Sequence, residues 1–382
     1  MAEHPGPLSG IRVLEIGGMG PTPFAGMTLA DMGAEVVRVE RPGGLGVFPG
    51  KPEQDILNRG KRSVGLDLKS RDAVDAVLTM VERADILIEG GRPGVAERLG
   101  IGPNECHARN PALVYGRMTG WGQDGPLATS AGHDIGYIAI TGALHAIGDA
   151  GGPPQIPLNL VGDFGGGSTY LVMGVLAALL ESRVTGRGRV VDAAIVDGTA
   201  HLLAGTHALM NTGTWSDTRG VNMLDGGAPY YGVYETRDGR HMAVGAIEPK
   251  FYALLLDGLG VTALDPGAQN DRSTWAATAS VIASAFMTRT QREWTAVFGG
   301  TDACVSPVLS MLEALDHPHI RRRGSVVRDN GLVQPMPAPR FSGIEPTVTA
   351  GPPAVGQHTE DVLLQWGVDP EPLLESGAAF QG

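Results

Sequence analysis

The stretch Gly10–Glu40, GIRVLEIGGMGPTPFAGMTLADMGAEVVRVE, decides the fold class. Its first part, Gly10–Ile16, is typical of a short strand, and a glycine-rich turn follows at residues 17–20. Apolar residues then recur with helical spacing over residues 23–32, and residues 34–40 predict a second strand. A strand, a helix and a strand in this order form a βαβ unit, which indicates a parallel sheet.

The same alternation continues beyond this unit. A helix is predicted after Ser70, where serine is a favoured N-cap, and the strand Asp85–Glu89 follows it. Another helix carries Arg98, and a further strand is predicted at Leu113–Arg117. Repeated strand–helix alternation favours a doubly wound α/β domain.

The pattern changes in the second half of the chain. Short strands and turns between Asn222 and Gly245 predict a hairpin, which indicates a second, α+β domain. We therefore predict a large α/β domain over residues 1–200, a linker over 201–225, a smaller α+β domain over 226–325 and a return segment over 326–382.

Composition narrows the class of protein. The chain has 382 residues, 42% of them hydrophobic, and a formal net charge of −12, which argues against a general role in nucleic-acid binding. Its two cysteines, Cys106 and Cys304, make no disulfide framework, and we expect both to be buried apolar fillers. We see no signal peptide and no apolar run of membrane-spanning length, so we expect a soluble cytoplasmic protein without a membrane partner.

A dinucleotide-binding function is one alternative for the glycine-rich turn. Gly18 and Gly20 match part of the dinucleotide fingerprint, and Glu40 suits a ribose hydroxyl. However, Pro23 stands where the third glycine belongs, so the signal is weak.

Two titratable residues beside glycines are the candidate catalytic groups. His133 follows Gly132 at the predicted start of a helix, and Asp163 follows Gly162 ahead of another. Histidine and carboxylate side chains exchange protons near neutral pH once their surroundings tune them. Each also has a structural alternative, a helix-start hydrogen bond for His133 and a capping carboxylate for Asp163.

Five motifs, in order along the chain, resemble the α-methylacyl-CoA racemases of the family III CoA-transferase superfamily. They are GHDI at 132–135, PLNLVGDF at 157–164, NMLDGGAPY at 222–230, VGAIEP at 244–249 and TDACV at 301–305. The resemblance implies a Rossmann-like large domain built from both chain ends and a smaller domain between them. It also implies an interlocked homodimer, whose active site lies between the large domain of one subunit and the small domain of the other.

The resemblance implies 1,1-proton transfer at the α-carbon of a 2-methylacyl-CoA thioester. His133 and Asp163 would be the two bases, and Glu248 the partner of the histidine. The backbone N–H of Asp134 would stabilise the enolate oxygen. The coenzyme A is part of the substrate, so we expect no metal and no separate cofactor.

The resemblance also assigns residues to binding of the coenzyme A thioester, with Arg62 as a further helper. These are Arg41, Gly65, Leu66, Asp67, Leu68, Arg98, Gly132, Ile135, Gly136 and Tyr137, and Arg59 is a second helper. Two positions depart from the family: Gly136 replaces an asparagine, and Gly91 replaces a bulkier residue. Both departures would widen the acyl or pantetheine channel.

Two other functions compete with the racemase. In a CoA-transferase of the same superfamily the aspartate matching Asp163 is a nucleophile, although the matching motif there usually lacks a histidine. A non-catalytic acyl-CoA-binding protein would keep the basic pocket but not need His133, Asp163 and Glu248 together. Exchange of the α-proton without an acceptor acid separates the racemase from both.

Overall fold

The structure is a computed structural model that describes residues 6–44, 50–329 and 331–382. Within these ranges most helices and strands predicted from the sequence are present, with ends shifted by a few residues. For example, the strands predicted at 10–16 and 34–40 are observed at Arg12–Ile16 and Glu35–Glu40.

The contacts divide the chain into two compact units. The larger unit comprises Met1–Thr141, Leu158–Leu202 and Pro318–Gly382, and the smaller unit comprises Gly142–Pro157 and Leu203–His317. Residues 142–157, which we expected in the large domain, thus group with the smaller unit. Residues 201–225, expected to be a linker, contain a helix at Ala204–Asn211.

Among the described residues, the strands form one large sheet and two small ones. They are β1 (Arg12–Ile16), β2 (Glu35–Glu40), β3 (Lys61–Leu66), β4 (Ile86–Glu89), β5 (Val114–Thr119), β6 (Val190–Ala194), β7 (Tyr231–Glu235), β8 (His241–Gly245), β9 (Val305–Pro307), β10 (Val326–Asp329), β11 (Leu332–Pro335) and β12 (Ala379–Phe380). The large sheet has the order β12-β3-β2-β1-β4-β5-β6, and β10 pairs with β11.

The large sheet is parallel except for β12, which runs antiparallel to β3. The mixed α/β fold with a large parallel sheet is therefore confirmed, and the last residues of the chain pair with a strand of its first part. Strand β1 lies between β2 and β4, so the direction of winding reverses between β1 and β4. In open α/β sheets, ligands bind outside the carboxyl ends of the strands at such a switch point.

The helices are numbered in chain order. They are α1 (Pro21–Asp31), α2 (Arg71–Val81), α3 (Val95–Leu99), α4 (Pro103–Arg109), α5 (Asp134–Ile140), α6 (Ala143–Ala146), α7 (Thr169–Thr185), α8 (Ile195–Leu202), α9 (Ala204–Asn211), α10 (Pro249–Leu259), α11 (Trp275–Phe286), α12 (Gln291–Phe298), α13 (Met311–Ala314), α14 (Pro318–Arg323), α15 (Thr359–Gln365) and α16 (Glu371–Ser376). Short 3₁₀ segments occur at Pro52–Gln54, Ile56–Asn58 and Pro266–Ala268, and a π-helix spans Leu160–Ser168.

Helices cover both faces of the large sheet. On one face Val77 of α2 and Trp366, just after α15, belong to one apolar core with β3. On the other face Leu29 of α1 and Val175 of α7 belong to a second core with β5. Because both faces are covered, β2 and β4 each contribute apolar residues to both cores: Val37 and Leu87 to the first, and Val36 and Ile86 to the second.

A buried ion network ties the first three strands to the glycine-rich turn. Glu15 of β1 pairs with Arg38 of β2 and, at 2.7 Å, with Lys61 of β3. Arg38 also donates to the carbonyl oxygen of Gly18 at 3.0 Å, and Lys61 donates to that of Pro23 at 2.9 Å. Burial lowers the pKa of Lys61 to about 8, although the charge of Glu15 opposes this shift. Through these two hydrogen bonds the network fixes the backbone of the glycine-rich turn and of the start of α1.

The π-helix and α7 together form an apolar segment, Leu160–Thr185, that is long and apolar enough to cross a membrane. This corrects our expectation that no apolar run reaches such a length. Its inward side chains, Leu171, Val175 and Leu179, are buried in the core of the larger unit. Core helices of soluble proteins pass the same length and composition test.

The smaller unit has its own core. Strands β7, β8 and β9 form an antiparallel sheet, which includes the predicted hairpin. Aromatic side chains such as Tyr230, Trp275 and Trp294 fill its core. Cys106 is buried in the larger unit, but Cys304 is exposed, so our expectation of burial was wrong for Cys304.

Candidate active site

Two cavities open at the carboxyl ends of the parallel strands in the larger unit. The first, about 340 Å³, contains His133 and Asp163, and we call it the histidine pocket. The second, about 270 Å³, contains Arg38 and Arg41, and we call it the arginine pocket. Gly91, which follows β4, lines both cavities.

The histidine pocket is built from the segments that follow β1, β4 and β5 and from α5 and the π-helix. Its lining includes Gly20, Thr22, Gly90, Gly91, Arg92, Trp121, Gly132, His133, Tyr137 and Asp163. The rings of Trp121 and Tyr137 meet edge to face, with centroids 4.6 Å apart. Gly132 has no room for a Cβ beside these rings, so a glycine is required there.

His133 is the N-cap residue of α5, at the helix start that the sequence predicted. Its backbone is extended, with φ −139° and ψ 169°, and its side chain makes no N-cap hydrogen bond. The imidazole is exposed at the pocket. The helix-start hydrogen bond that we considered as its structural role is therefore not made.

Asp163 lies inside the π-helix Leu160–Ser168, not ahead of a helix as expected. Such π-helical segments frequently occur at functional sites. Burial raises the pKa of Asp163, the hydrogen bond from Asn159 lowers it, the charge of Asp134 raises it and that of His133 lowers it. The net shift is upward, so the carboxyl holds a proton more readily than a solvent-exposed aspartate does.

The backbone of Gly20 closes over the carboxylate of Asp163. Gly20 has φ +62°, and a Cβ added there would lie 3.2 Å from Asp163 Oδ2. A glycine suits this position on both grounds, because other residues rarely adopt that φ and would crowd the acid. The glycine-rich turn after β1 thus forms one wall around the acid.

The carboxylate of Asp134 supports Asp163 from behind, a role that the sequence analysis missed. Asp134 is buried, and its Oδ2 accepts the backbone N–H of Asp163 at 2.7 Å. A Cβ at Gly162 would collide with this carboxylate. The glycine before Asp163 was therefore the feature of the sequence that could have indicated this close contact. As the first residue of α5, Asp134 has no acceptor for its N–H within the helix.

Two polar atoms of residues that line the histidine pocket are buried without a hydrogen-bond partner among the described residues. They are the hydroxyl oxygen of Thr22 and the indole nitrogen of Trp121. Buried polar groups are usually paired, so an unpaired one requires an explanation such as a bound ligand or water.

The arginine pocket is lined by Arg41 and by residues 66–69, which comprise the last residue of β3 and the three that follow it. The Arg41 Nε donates to the carbonyl oxygen of Gly44 at 2.9 Å. Glu89, at the end of β4, accepts the N–H of Gly91 at 2.6 Å and pairs with Arg117 at 3.3 Å. Burial raises the pKa of Glu89 to about 7, although these two partners lower it.

The structure places the predicted coenzyme A residues unevenly. Arg41, Leu66, Asp67 and Leu68 line the arginine pocket, and Gly132 and Tyr137 line the histidine pocket. Arg98 and Ile135 are exposed, and neither is among the lining residues described for these cavities. A Cβ at Gly136 would meet only the ring of Trp121, at 3.9 Å, so an asparagine would fit there.

Two of those assignments need correction. Arg59 is 1% exposed and pairs with Asp31 at 2.7 Å, and it also donates to Gln334 and Pro335. Its guanidinium holds the fold together and is not available to a phosphate. Gly65 is covered by the ring of Phe380, which a Cβ would approach to 2.5 Å, so its small size admits β12 rather than a ligand.

The remaining basic helper, Arg62, is part-buried. It donates to the side chain of Gln365 at 2.6 Å and lies 3.7 Å from Glu35. These contacts direct it toward α15.

Glu248 lies in the smaller unit, where it is the exposed N-cap residue of α10. It makes no side-chain capping hydrogen bond. The nearby Cys304 has φ +55°, and burial followed by the charge of Glu248 raises the pKa of its thiol. In the described part of the chain, no three or more His, Cys, Asp or Glu side chains come together to hold a metal ion.

Comparison with known proteins gives a consistent family. Residues 8–359 match the model of CoA-transferase family III. The chain is 46% identical to α-methylacyl-CoA racemase of Mus musculus over 370 residues, covering 96% of this chain and 95% of the relative. It is 42% identical to α-methylacyl-CoA racemase of Homo sapiens, with the same coverage. The crystal structure of a CAIB/BAIF family protein from Brucella suis shares the fold, with TM-score 0.81, 24% identity, and coverage of 94% of this chain and 99% of that one.

Proposed function

The chain belongs to CoA-transferase family III, and we propose that it interconverts the (R) and (S) epimers of a 2-methylacyl-CoA thioester. The observation that carries this proposal is the presence of His133 and Asp163 in one cavity of the larger unit. The two racemases that are 46% and 42% identical over nearly the whole chain support the same reaction.

The proposed reaction moves one proton on and one proton off the same carbon. The thioester carbonyl acidifies the α-proton, and neutral His133 removes it from one epimer to leave an enolate. Protonated Asp163 then donates its proton to the opposite face of that carbon, and the reverse direction exchanges the two roles. The raised pKa of Asp163 supports this assignment, because the carboxyl must carry a proton when it acts as the donor.

The enolate oxygen needs a hydrogen-bond donor while its charge develops. We assign the backbone N–H of Asp134 to this role, since it is unused within α5 and lies next to His133. The carboxylate of the same residue holds the backbone of Asp163. One residue would therefore link the donor for the oxyanion to the second base.

The coenzyme A moiety would occupy the two cavities in sequence. We place the nucleotide in the arginine pocket near Arg41 and the thioester in the histidine pocket. The pantetheine arm would cross at Gly91, which lines both cavities. A Cβ at Gly91 would lie 3.1 Å from Glu89 Oε2 and 3.4 Å from Val95 Cβ, so a larger residue would narrow this crossing.

We further propose that the enzyme works as a homodimer and needs no metal or separate cofactor. Exposed apolar side chains on α7, namely Met173 at 55%, Leu180 at 73% and Val184 at 87%, support a covering partner. In the dimer, Glu248 is the proposed partner of the histidine, where it would orient the imidazole and stabilise its charged form.

The test is incubation of the purified protein with an (R)-2-methylacyl-CoA in deuterium oxide, without any acceptor acid. Proton NMR follows loss of the α-proton, and chiral analysis follows the epimers. Exchange with conversion toward an equal mixture supports the racemase. No exchange, together with CoA transfer once an acceptor acid is added, would instead make Asp163 a nucleophile.

A further inference from the structure

We propose that the hydroxyl of Thr22 hydrogen-bonds an amide group of the pantetheine arm and so positions the thioester. This inference rests on the proposed function, because it takes a coenzyme A thioester as the ligand. It assigns a substrate-positioning role to a residue that none of the sequence motifs singled out.

The hydroxyl is buried, unpaired and located at the switch point of the sheet. Thr22 is 1% exposed, and its Oγ1 has no hydrogen-bond partner within the described residues. It lies in the first turn of α1, which begins directly after the glycine-rich turn that follows β1. Helix α1 has eleven residues, and its first N–H groups have no helical acceptor.

Two glycines make room for this hydroxyl. A Cβ at Gly90 would collide with Thr22 Oγ1, and a Cβ at Gly18 would lie 3.3 Å from it. Gly18 follows β1, and Gly90 follows β4, so the hydroxyl lies between the ends of the two strands where the winding reverses. On these two sides the hydroxyl therefore meets glycine residues, which have no side chain.

The position of Thr22 along the proposed ligand path selects the group that it binds. Gly91, the crossing between the two cavities, follows Gly90 directly, and Gly20, which covers Asp163, lies two residues before Thr22. The part of the ligand between the crossing and Asp163 is the end of the pantetheine arm near the sulfur. Its polar group is a secondary amide, and a threonine hydroxyl can donate to the amide oxygen or accept from the amide N–H.

The residues that the structure describes offer this hydroxyl no hydrogen-bond partner, and the ligand would supply one. Leaving a buried polar group unpaired costs free energy that a ligand hydrogen bond recovers. The same argument distinguishes binding from a structural role. A hydroxyl that stabilised the fold would have a partner within the protein.

The experiment compares Thr22→Val, which keeps the shape and removes the hydroxyl, with the matched control Thr22→Ser, which keeps the hydroxyl. Calorimetric titration measures binding of CoA and of adenosine 3′,5′-bisphosphate, which lacks the pantetheine arm. We expect Thr22→Val to weaken CoA binding about 3- to 10-fold, the loss of one neutral hydrogen bond, and to leave the bisphosphate unchanged. Thr22→Ser should bind both ligands like the wild type.

Thermal unfolding of the ligand-free variants supplies a second readout. The midpoint of Thr22→Val should equal or exceed that of the wild type, because valine buries no unpaired hydroxyl. Unchanged CoA binding in Thr22→Val would overturn the proposal. So would an equal loss for both ligands accompanied by a lower midpoint, since that pattern indicates a structural role.

These binding measurements do not depend on turnover. If the wild type binds CoA but exchanges no α-proton, the proposed reaction fails while the assignment of Thr22 is still decided by the titrations.

Discussion

The arginine pocket and the histidine pocket both lie at the carboxyl ends of the strands of one sheet. They differ in whether their polar side chains already have partners within the protein. In the arginine pocket three of the charged side chains, Arg38, Glu40 and Glu89, have ion-pair partners: Arg38 pairs with Glu15 and Glu40, and Glu89 pairs with Arg117. In the histidine pocket, Thr22 and Trp121 each bury an atom without a partner among the described residues.

This difference separates groups that shape a cavity from groups that take part in binding or reaction. Groups that already have partners fix the shape of a cavity, and they have few hydrogen bonds left to form with a ligand. Unpaired groups, together with the raised pKa of Asp163, indicate that the site is completed by what it binds. We therefore expect the reaction to take place in the histidine pocket and the nucleotide of coenzyme A to bind in the arginine pocket.

The largest expected effect tests whether the two proposed bases in the histidine pocket carry the reaction. Asp163→Asn and His133→Gln should each reduce epimer interconversion by about 10²- to 10⁴-fold, the usual contribution of a general acid or base. Any exchange that remains should be confined to one epimer, because each base faces one side of the carbon. Deuterium exchange with chiral analysis measures both quantities.

A matched control for these variants is Asp75→Asn, which alters a carboxylate that is 51% exposed on α2. It should retain normal turnover. Near-normal interconversion in either pocket variant, or equal residual exchange of both epimers, would contradict the two-base assignment.

The second prediction separates two arginines that look alike in the sequence. Arg59→Met should destabilise the protein by about 3–5 kcal/mol, because it leaves the Asp31 carboxylate, whose side chain is 8% exposed, without its ion-pair partner. Arg41→Met, at an exposed position of the arginine pocket, should change stability by less than about 0.5 kcal/mol. It should instead weaken CoA binding about 10- to 100-fold.

Urea unfolding and calorimetric titration measure the two effects. If Arg41→Met unfolds more readily than Arg59→Met, or binds CoA normally, the division between a structural and a binding arginine is wrong.

The third prediction concerns the pH dependence that the arginine pocket adds to stability. Glu89 has its pKa raised to about 7 in the folded protein from the ordinary 4.5, so the folded state binds more protons between these values. Its contribution to stability is fully present below about pH 4.5 and is lost as the pH rises to about 7, by on the order of 3 kcal/mol.

Glu89→Gln should remove this part of the pH dependence, and urea unfolding from pH 4.5 to 8 measures it. The exposed Glu181→Gln serves as the matched control, because burial contributes little to its carboxyl. Parallel curves for the wild type and Glu89→Gln would show that Glu89 is ionised throughout this range.

The smallest expected effect tests the contact between Gly90 and Thr22, next to the crossing between the two pockets. Gly90→Ala should cost about 1 kcal/mol, at the low end for overpacking, because the Thr22 side chain can rotate away from the new methyl group. Thr22→Ala removes the atom that collides, so the double variant should recover most of this loss. A double-mutant cycle by urea unfolding gives the coupling, and simple additivity would show that the two residues do not meet.

Much of the fold followed from local sequence. The βαβ stretch, the helix start near His133 and the hairpin of the smaller unit depend on periodicity and on turn residues close in the chain. The family could also be identified, because its motifs are contiguous runs. The π-helix around Asp163 escaped prediction, since triple glycine after an apolar run looks like a loop that opens an ordinary helix.

The amino-acid sequence by itself determined the parallel sheet, the order of its helices and the candidate bases His133 and Asp163. Only the tertiary structure decided which polar side chains were already in use. Arg59 is paired with Asp31, 28 residues away, and with Gln334, 275 residues away. The Thr22 hydroxyl, between the ends of two strands, has no partner in the part of the chain that the structure describes. Whether a polar group has a partner depends on contacts between distant segments, and periodicity along the chain carries no record of such contacts.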